Sequence, residues 1–533
     1  LLTCIAFGIA RAAAPGPYEA PVVYDGVAKS SQYLTAADGT RLAVSIWRPT
    51  RAGQVTQDRL PVIVTQQRND GPQIRYFVQR GYVWVGQDRR GTGASFGQQT
   101  GFVNRRDAQD AKTVIEWAGE QPFSSGKVVG YGCSNQGAWQ FVVAALAPKH
   151  LVAISPACSS AQFFDDAVVI NGVPMFQTRA SAFNGECSAP QPGERQSGGT
   201  PRSTEPVDED RDGALLQAAK AGQNCNAPML GQYWLNMPRD GVNAFDDYRP
   251  AIEDSGLAHA AAIRKSGIAI LQIGGWFDAA GPGQMASQAY WGGRVIMGPW
   301  VHGNRAPPGT QFPGDTLNVD AEVLRWFDHH AKGVRNGADK PGILYYTIHA
   351  PAGREWRTAD RWRWNGEHKQ VYYFGVDALS TRAPGMSQPI AYQGRDVALF
   401  DGKYQSLGRH FAGDMAAVDA QGLSQSAAPF TTDVEVTGTP TVRAWIGADT
   451  PDTNLFALLE DVAPDGTSTF VTDGRMRASW RRTAPAAWGV REQLWHRGFA
   501  SDIAPLAAGE VAELAFNLNP ISYVFRAGNR LRV

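Results

Sequence analysis

Apolar and polar positions fall into distinct rhythms along this chain. Residues 31–49 (SQYLTAADGTRLAVSIWRP) alternate on either side of Asp38-Gly39, which predicts two strands joined by a tight turn. Short unbroken apolar runs follow at residues 60–64 (LPVIV) and 82–86 (YVWVG), the pattern of strands buried on both faces. Between them IRYFVQRG reads as a helix ending at Gly81. From Asp107 to Glu120 the apolar residues Ala108, Ala111, Val114, Ile115 and Ala118 recur at helical spacing. GKVVGYG, NQGAWQFVVAALA and LVAISPA then read as strand, helix and strand. Alternation of this kind predicts fold class α/β, with a parallel sheet covered by helices on both faces.

The rhythm breaks near residue 160. Residues 183–213 are rich in Gly, Pro, Ser and acids, and ALLQAAKAG after them reads as a helix. Sheet-like runs resume at 268–273 (IAILQI) and 294–297 (RVIM). From about 342 helical periodicity fades, and segments such as ILYYTI, QVYYFGV, PTVRAWIGA and NLFALLEDV are strand-like with turn residues between them. The predicted organisation is an α/β domain at 25–159 and 263–341, an insertion capping the sheet at 160–262, and a C-terminal all-β jelly-roll sandwich at 342–533. No sequence repeats are evident.

Composition narrows the partners. Lys+Arg and Asp+Glu are 50 each in 533 residues, so the formal net charge is zero. That removes the electrostatic case for nucleic acid or an anionic membrane surface. The 58 glycines predict many tight turns. The first residues, LLTCIAFGIARAAAPGP, hold an apolar stretch of about ten residues before small ones, too short for a span of ~20. They read as a signal-peptide remnant over 1–14, with a buried N-terminal strand or helix as the alternative. Export to the periplasm or the extracellular space is therefore expected. The chain stops in a strand-like run (RAGNRLRV), so both ends read as shorter than the natural protein. Export permits disulfides. Cys187 and Cys225 flank a polar loop and are the favoured pair, whereas Cys133 and Cys158 follow apolar runs and read as buried thiols. No CxxC or His/Cys cluster suggests a metal site.

The chemistry concentrates at Val128-Val129-Gly130-Tyr131-Gly132-Cys133-Ser134-Asn135-Gln136-Gly137. A buried strand runs through Gly-x-Ser-x-x-Gly directly into a helix, close to a nucleophile elbow, though the second glycine comes one position later than in GxSxG. Such a turn lifts the Ser134 hydroxyl above the sheet and aims the Asn135 N–H at the place where an oxyanion would form. A serine needs a base, and the base needs an acid to hold its tautomer. Asp278 follows the run IAILQI, and His302 follows RVIM, each just past a strand end. Of nine histidines, His302 alone has this context. Three strand-end residues in the order Ser, Asp, His point to a catalytic triad.

With these residues in place, the chain resembles the X-prolyl dipeptidyl-peptidase/cocaine-esterase family of serine hydrolases, which includes α-amino-acid ester hydrolases. The matching segments are GYVWVGQDRRGTGAS (81–95), IEW…QPFSSGKV (115–128), the Ser134 elbow, Gly275-Trp276-Phe277-Asp278, Gly298-Pro299-Trp300-Val301-His302, and WFDHHAKG (326–333). The resemblance implies an α/β-hydrolase domain, a helical cap inserted between the nucleophile strand and the acid, and a C-terminal jelly roll, with Ser134 as nucleophile, His302 as general base and acid, and Asp278 as its orienting partner. The family places a Tyr oxyanion donor after the strand matching LPVIV. Here the segment is Thr65-Gln66-Gln67-Arg68-Asn69-Asp70, without Tyr. Matching by the family's Tyr-Asp pair selects Asn69, and counting from Val64 selects Arg68.

The expected activity is hydrolysis of an acyl ester or amide through an acyl-enzyme, with simple esters preferred. X-prolyl dipeptides and α-amino-acid esters are the alternatives. No cofactor or metal is expected, and the partner is a small ester or short peptide, with no nucleic acid and no membrane span. Self-association into a homo-oligomer is left open. Arg90 reads as a structural ion-pair residue. The acidic run Glu205, Asp208, Glu209, Asp210 and Asp212 reads as a loop charging the next helix rather than an ammonium site. A binding protein with a decayed hydrolase site is the rival from outside enzymes.

Overall fold

The computed structural model describes residues 2–6, 16–98, 105–162, 164–174, 205–223, 238–242, 249–362, 368–385, 389–392, 413–484 and 494–533. After a short first strand β1 (Leu2–Ala6) come β2 (Gly26–Thr35), β3 (Arg41–Arg51), β4 (Gln54–Val55), β5 (Leu60–Thr65), β6 (Val83–Gln87), β7 (Ser124–Cys133) and β8 (Leu151–Ala157). A small hairpin, β9 (Val169–Ile170) and β10 (Val173–Pro174), precedes β11 (Ala269–Gly275), β12 (Arg294–Gly298), β13 (Gly342–Tyr346) and β14 (Trp356–Ala359). One large sheet runs in the order β14-β13-β12-β11-β8-β7-β5-β6-β3-β2, with β4 on β3. Strands β6 to β13 in that sheet are parallel, while β2–β3, β3–β6 and β13–β14 pair antiparallel. The fold is therefore α/β-hydrolase-like with a mixed sheet. The antiparallel end β2–β3 is the alternating hairpin legible around Asp38-Gly39.

Period-2 alternation sends successive side chains of the central strand to opposite faces. On one face Val129 and Tyr131 of β7 join Ile74, Phe77 and Val78 of the helix Pro72–Val78 and Leu324 and Phe327 of the helix Val319–Lys332. On the other face Val128 joins Ala111, Val114 and Ile115 of the helix Arg105–Glu120 and Trp139 and Phe141 of the helix Asn135–Ala145. The sheet thus has two dry faces, which is why its inner strands read as continuous apolar runs. Among the described residues no helix is long and apolar enough to cross a membrane.

Two assignments differ from the sequence reading. ILYYTI, placed in the sandwich by its strand-like pattern, forms β13, which is buried at every position and parallel to β12, and β14 returns beside it. A run buried on both faces looks the same in either kind of sheet, so pattern could not assign it. Between β13 and β14, Ile348 bridges to Tyr523 of the C-terminal domain. That domain is all-β: β15 (His368–Phe374), β16 (Leu379–Ser380), β17 (Val434–Gly438), β18 (Thr441–Gly447), β19 (Asn454–Val462), β20 (Ser468–Arg477), β21 (Val511–Asn517), β22 (Ile521–Phe525) and β23 (Arg530–Arg532). The second difference is at the front. Leu2–Ala6, read as the apolar core of a leader, lies as strand β1 between β15 and β18.

Between β8 and β11 the chain leaves the sheet. The described parts of this segment include a short π-helical turn Phe164–Val168, the β9–β10 hairpin and the helices Ala214–Gly222 and Ala260–Ser266. It packs on the all-β domain: Gly172 leaves no room for a side chain against the Trp480 ring, and the fully buried Arg239 pairs with Asp165 while donating to the Arg497 carbonyl (2.7 Å).

Candidate active site

Strand β7 ends at Cys133, and the helix Asn135–Ala145 begins one residue after Ser134. To make that reversal Ser134 takes φ 62°, ψ −130°, a backbone conformation that a β-carbon disfavours. It is held there by its N–H to the Ala157 carbonyl of β8 (3.0 Å), and by Gly137 and Ala138 donating to its own carbonyl (2.9 and 3.0 Å). The glycines are steric necessities. A Cβ at Gly132 would lie 2.6 Å from the Gln136 Cβ, and one at Gly137 would lie 2.1 Å from Ser159 Oγ. The displaced second glycine of the motif is thus explained by where Ser159 passes. Position 136 is free to carry a glutamine, whose amide accepts from Thr65 Oγ1 (3.0 Å) and donates to Gln67 Oε1. This link between the elbow helix and the loop after β5 carries no sequence motif.

Asp278 and His302 come together from the ends of β11 and β12. Nδ1 of His302 lies 3.1 Å from both carboxylate oxygens of Asp278. Because a carboxylate only accepts, Nδ1 carries the proton in this pair. Asp278 is buried and His302 is mostly covered. Burial by itself would lower the histidine pKa, but the Asp278 hydrogen bond and charge outweigh it, so the value stands above the ordinary one. The two loops are fastened to each other: Trp276 and Phe277 donate to the Gly298 and Trp300 carbonyls (both 3.0 Å). The Trp276 indole reaches the Tyr346 carbonyl (2.7 Å), and the Trp300 indole reaches Asp315 (2.8 Å). Phe277, beside the acid, stacks on Phe312 and meets Phe470 of the all-β domain.

The loop after β5 separates the two proposed oxyanion donors. Arg68 does not fit that role: Nε donates to Ser45 Oγ, Nη1 to Asp88 and Nη2 to the Glu205 carbonyl, each at 2.9 Å, and the side chain is buried. It is a structural cation beneath the loop. Asn69 instead lines a cavity of about 220 Å³ beside the elbow, with Thr65, Gln67, Gln73, Trp84, Tyr131, Cys133 and Gln136. Near it, the Tyr131 hydroxyl donates to Asp320 (2.8 Å), with Gln73 also donating to that carboxylate (3.0 Å). Burial raises the Asp320 pKa against both hydrogen bonds.

Other residues singled out from sequence serve the framework. Arg90 binds Asp110 and Asp38. The acidic run is tied to the sheet edge: Glu205 pairs with Lys29, Asp208 accepts from Ser31, Glu209 accepts from the Tyr33 N–H, and Asp210 accepts from Leu215 and Leu216 at the start of the helix Ala214–Gly222. In WFDHHAKG, Asp328 gathers Tyr18, Tyr82 and Lys332, and the His330 ring packs on Trp326.

The cysteines require a correction. Cys133 and Cys158, read as buried thiols, form a disulfide. The strand ends β7 and β8 are adjacent in the sheet, which 25 residues of separation could not reveal. Cys187 and Cys225 lie outside the described residues. Cys158 Sγ, an Asp278 oxygen and a His302 nitrogen fall within 4.8 Å of one another. With the sulfur committed to a disulfide, this cluster is a disulfide beside an acid–base pair.

An α/β-hydrolase-like sheet with Ser134 after β7 and the paired Asp278 and His302 after β11 and β12 fits one class, and the relatives bear it out: the protein is a serine hydrolase. Residues 38–304 match the family model described as X-Pro dipeptidyl-peptidase (S15 family), and residues 334–533 match its C-terminal non-catalytic domain. The chain belongs to the X-Pro dipeptidyl-peptidase (S15) family. A Mycobacterium bovis protein named as a serine esterase is 29% identical over 98% of this chain and 92% of its own length. The cocaine esterase of Rhodococcus sp. is 26% identical over 95% of this chain and 89% of its own length. Among solved structures, an α-amino acid ester hydrolase superposes with a TM-score of 0.66 at 18% identity, covering 97% of this chain and 90% of that one, which speaks for the shared fold.

Proposed function

We propose that the protein is a serine esterase in which Ser134 attacks an acyl carbonyl, His302 removes and returns the proton, and Asp278 holds the imidazole. The observation that carries this reading is the His302–Asp278 pair at the ends of β12 and β11, three and two strands beyond an elbow serine with left-handed φ. With Nδ1–H on Asp278, Nε2 is the basic nitrogen that a nucleophile can use. The Asn135 N–H at the positive end of its helix and the Asn69 amide are the proposed oxyanion donors. Ser134 becomes acylated as the alcohol leaves, and water then attacks the acyl-enzyme with His302 again as base.

The preference for simple esters over substrates with a free amino terminus rests on the carboxylates. Holding an ammonium group needs anionic partners. Several described acids of the insertion are engaged within the protein: Glu205, Asp208 and Glu209 at the sheet edge, Asp210 and Asp212 at the start of the helix Ala214–Gly222, Asp165 by Arg239, Asp166 by Ser160, Asp240 by the Ala500 N–H and Glu253 by Arg105. The residues after the acid, Ala279 and Ala280, add no charge. We further propose an oxidising compartment for the mature protein, on the ground that the Cys133–Cys158 disulfide persists there.

The test is fluorophosphonate labelling with peptide mapping, run with p-nitrophenyl acetate and Ala-Pro-p-nitroanilide turnover. Label on Ser134 with acetate turnover is expected, both lost in Ser134→Ala. An intact protein without label at Ser134 overturns the mechanism, and cleavage of the dipeptide substrate alone overturns the esterase preference.

A further inference from the structure

We infer that the Cys133–Cys158 disulfide is a positioning element of the catalytic elbow, and that opening it with a dithiol reversibly lowers turnover while substrate binding persists. The inference rests on the reading of Ser134 as nucleophile. In the sheet, β7 carries Ser134 and β11 carries Asp278, and β8 alone lies between them. The end of β8 is therefore the physical link from nucleophile to acid. Cys133 is the residue immediately before Ser134, and Cys158 immediately follows β8.

Three contacts radiate from this bond. Through Cys133 it reaches the left-handed Ser134. Through its backbone N–H, Cys158 bonds the Ile273 carbonyl of β11 (2.8 Å), the strand leading to Asp278. Through its sulfur it lies within 4.8 Å of ligand atoms of both Asp278 and His302. Cys158 itself has φ 41°, so residues in the left-handed region stand at both ends of the covalent tie. Such conformations persist only where the surroundings over-determine them. The hydrogen bonds of Ser134 to Ala157 and of Ser159 to the Ser134 carbonyl cross the same β7–β8 boundary and keep the fold assembled without the sulfur bridge. The bond is thus placed to tune alignment of Ser134 against His302 rather than to hold the domain together.

Reduction balances as an exchange. A dithiol donates two electrons and two protons and closes to its own disulfide, while the Cys133–Cys158 bond breaks to leave two thiols. The chain between 133 and 158 then keeps its strands but loses the covalent constraint at their ends. A displacement on the order of 1 Å at a reacting atom costs about 10²-fold in rate. The expected effect is a fall in kcat of about 10- to 100-fold with KM within about twofold.

The experiment measures kcat, KM and the rate of fluorophosphonate labelling at Ser134 for full-length protein, before and after dithiothreitol, with thiols located by mass spectrometry and the melting curve recorded. Reoxidation should restore turnover. Cys133→Val with Cys158→Ala, which fills the space without the bond, should match the reduced protein and ignore reductant. Cys187→Ser with Cys225→Ser should keep the response. The proposal is overturned if protein with demonstrated free thiols at 133 and 158 keeps kcat within twofold, if the Val/Ala pair is fully active, or if the loss tracks unfolding in the melting curve. Equal labelling in both redox states overturns this proposal alone, whereas no label at Ser134 in the oxidised protein overturns the nucleophile reading and the proposal with it.

Discussion

His302 stands with Nδ1 at 3.1 Å from each oxygen of the Asp278 carboxylate, so the imidazole is fastened by a group that is itself 1% exposed. Fixing the ring in this way sets both its tautomer and its basicity. Asp278→Asn keeps the shape but offers an amide in place of the anion. Turnover of p-nitrophenyl acetate is expected to fall by about 10⁴-fold with little change in melting temperature.

The same pair sets the pH dependence. A general base must be neutral, and the Asp278 hydrogen bond and charge raise the His302 pKa against the opposing effect of burial. Activity should therefore rise with pH through a midpoint above that of an ordinary histidine. Its residual profile in Asp278→Asn should move to lower pH, because the raising partner is gone while burial remains. A pH series of kcat/KM on both proteins reads this directly.

Neighbouring residues in the loop after β5 should respond differently. Asn69→Ala removes a proposed oxyanion donor and should lower kcat by about 10²- to 10³-fold at nearly unchanged KM. Arg68→Met removes the cation from the Asp88 carboxylate, which keeps the Ala94 N–H, and takes a hydrogen bond from the buried Ser45, so it should cost about 3 kcal/mol of stability in chemical denaturation.

Gly137 is tested by adding one carbon. In Gly137→Ala the new Cβ meets Ser159 Oγ at 2.1 Å, and the elbow must shift. About 1–3 kcal/mol of stability should be lost, together with most labelling at Ser134.

Arg239, paired with Asp165 within the insertion, ties it to the all-β domain through the Arg497 carbonyl. Arg239→Ala should lower the unfolding free energy by about 3 kcal/mol, since a carboxylate loses its partner. Adding Asp165→Asn should return part of that loss, as a denaturation series on the single and double variants would reveal.

How far the sequence reached depended on whether the signal was local. The β-run, elbow, helix order and the strand-end positions of Ser134, Asp278 and His302 were legible, because burial on two faces and a strand-to-helix turn leave patterns within ten residues. The assignment of ILYYTI was not, since apolar runs do not say which sheet they join. Arg68 and Asn69 could not be separated by counting, and only the network around Ser45, Asp88 and Glu205 distinguishes a buried cation from a cavity-lining amide.

By itself, then, the chain determined an α/β domain with an insertion and an all-β partner, and which serine, acid and histidine stand at strand ends. Tertiary structure alone decided which strand ends are neighbours. That adjacency brought Cys133 to Cys158, set Ser159 against Gly137 and closed Asp278 on His302. The physical reason is that strand order in a parallel sheet is set by long-range crossover packing, for which residue spacing carries no record.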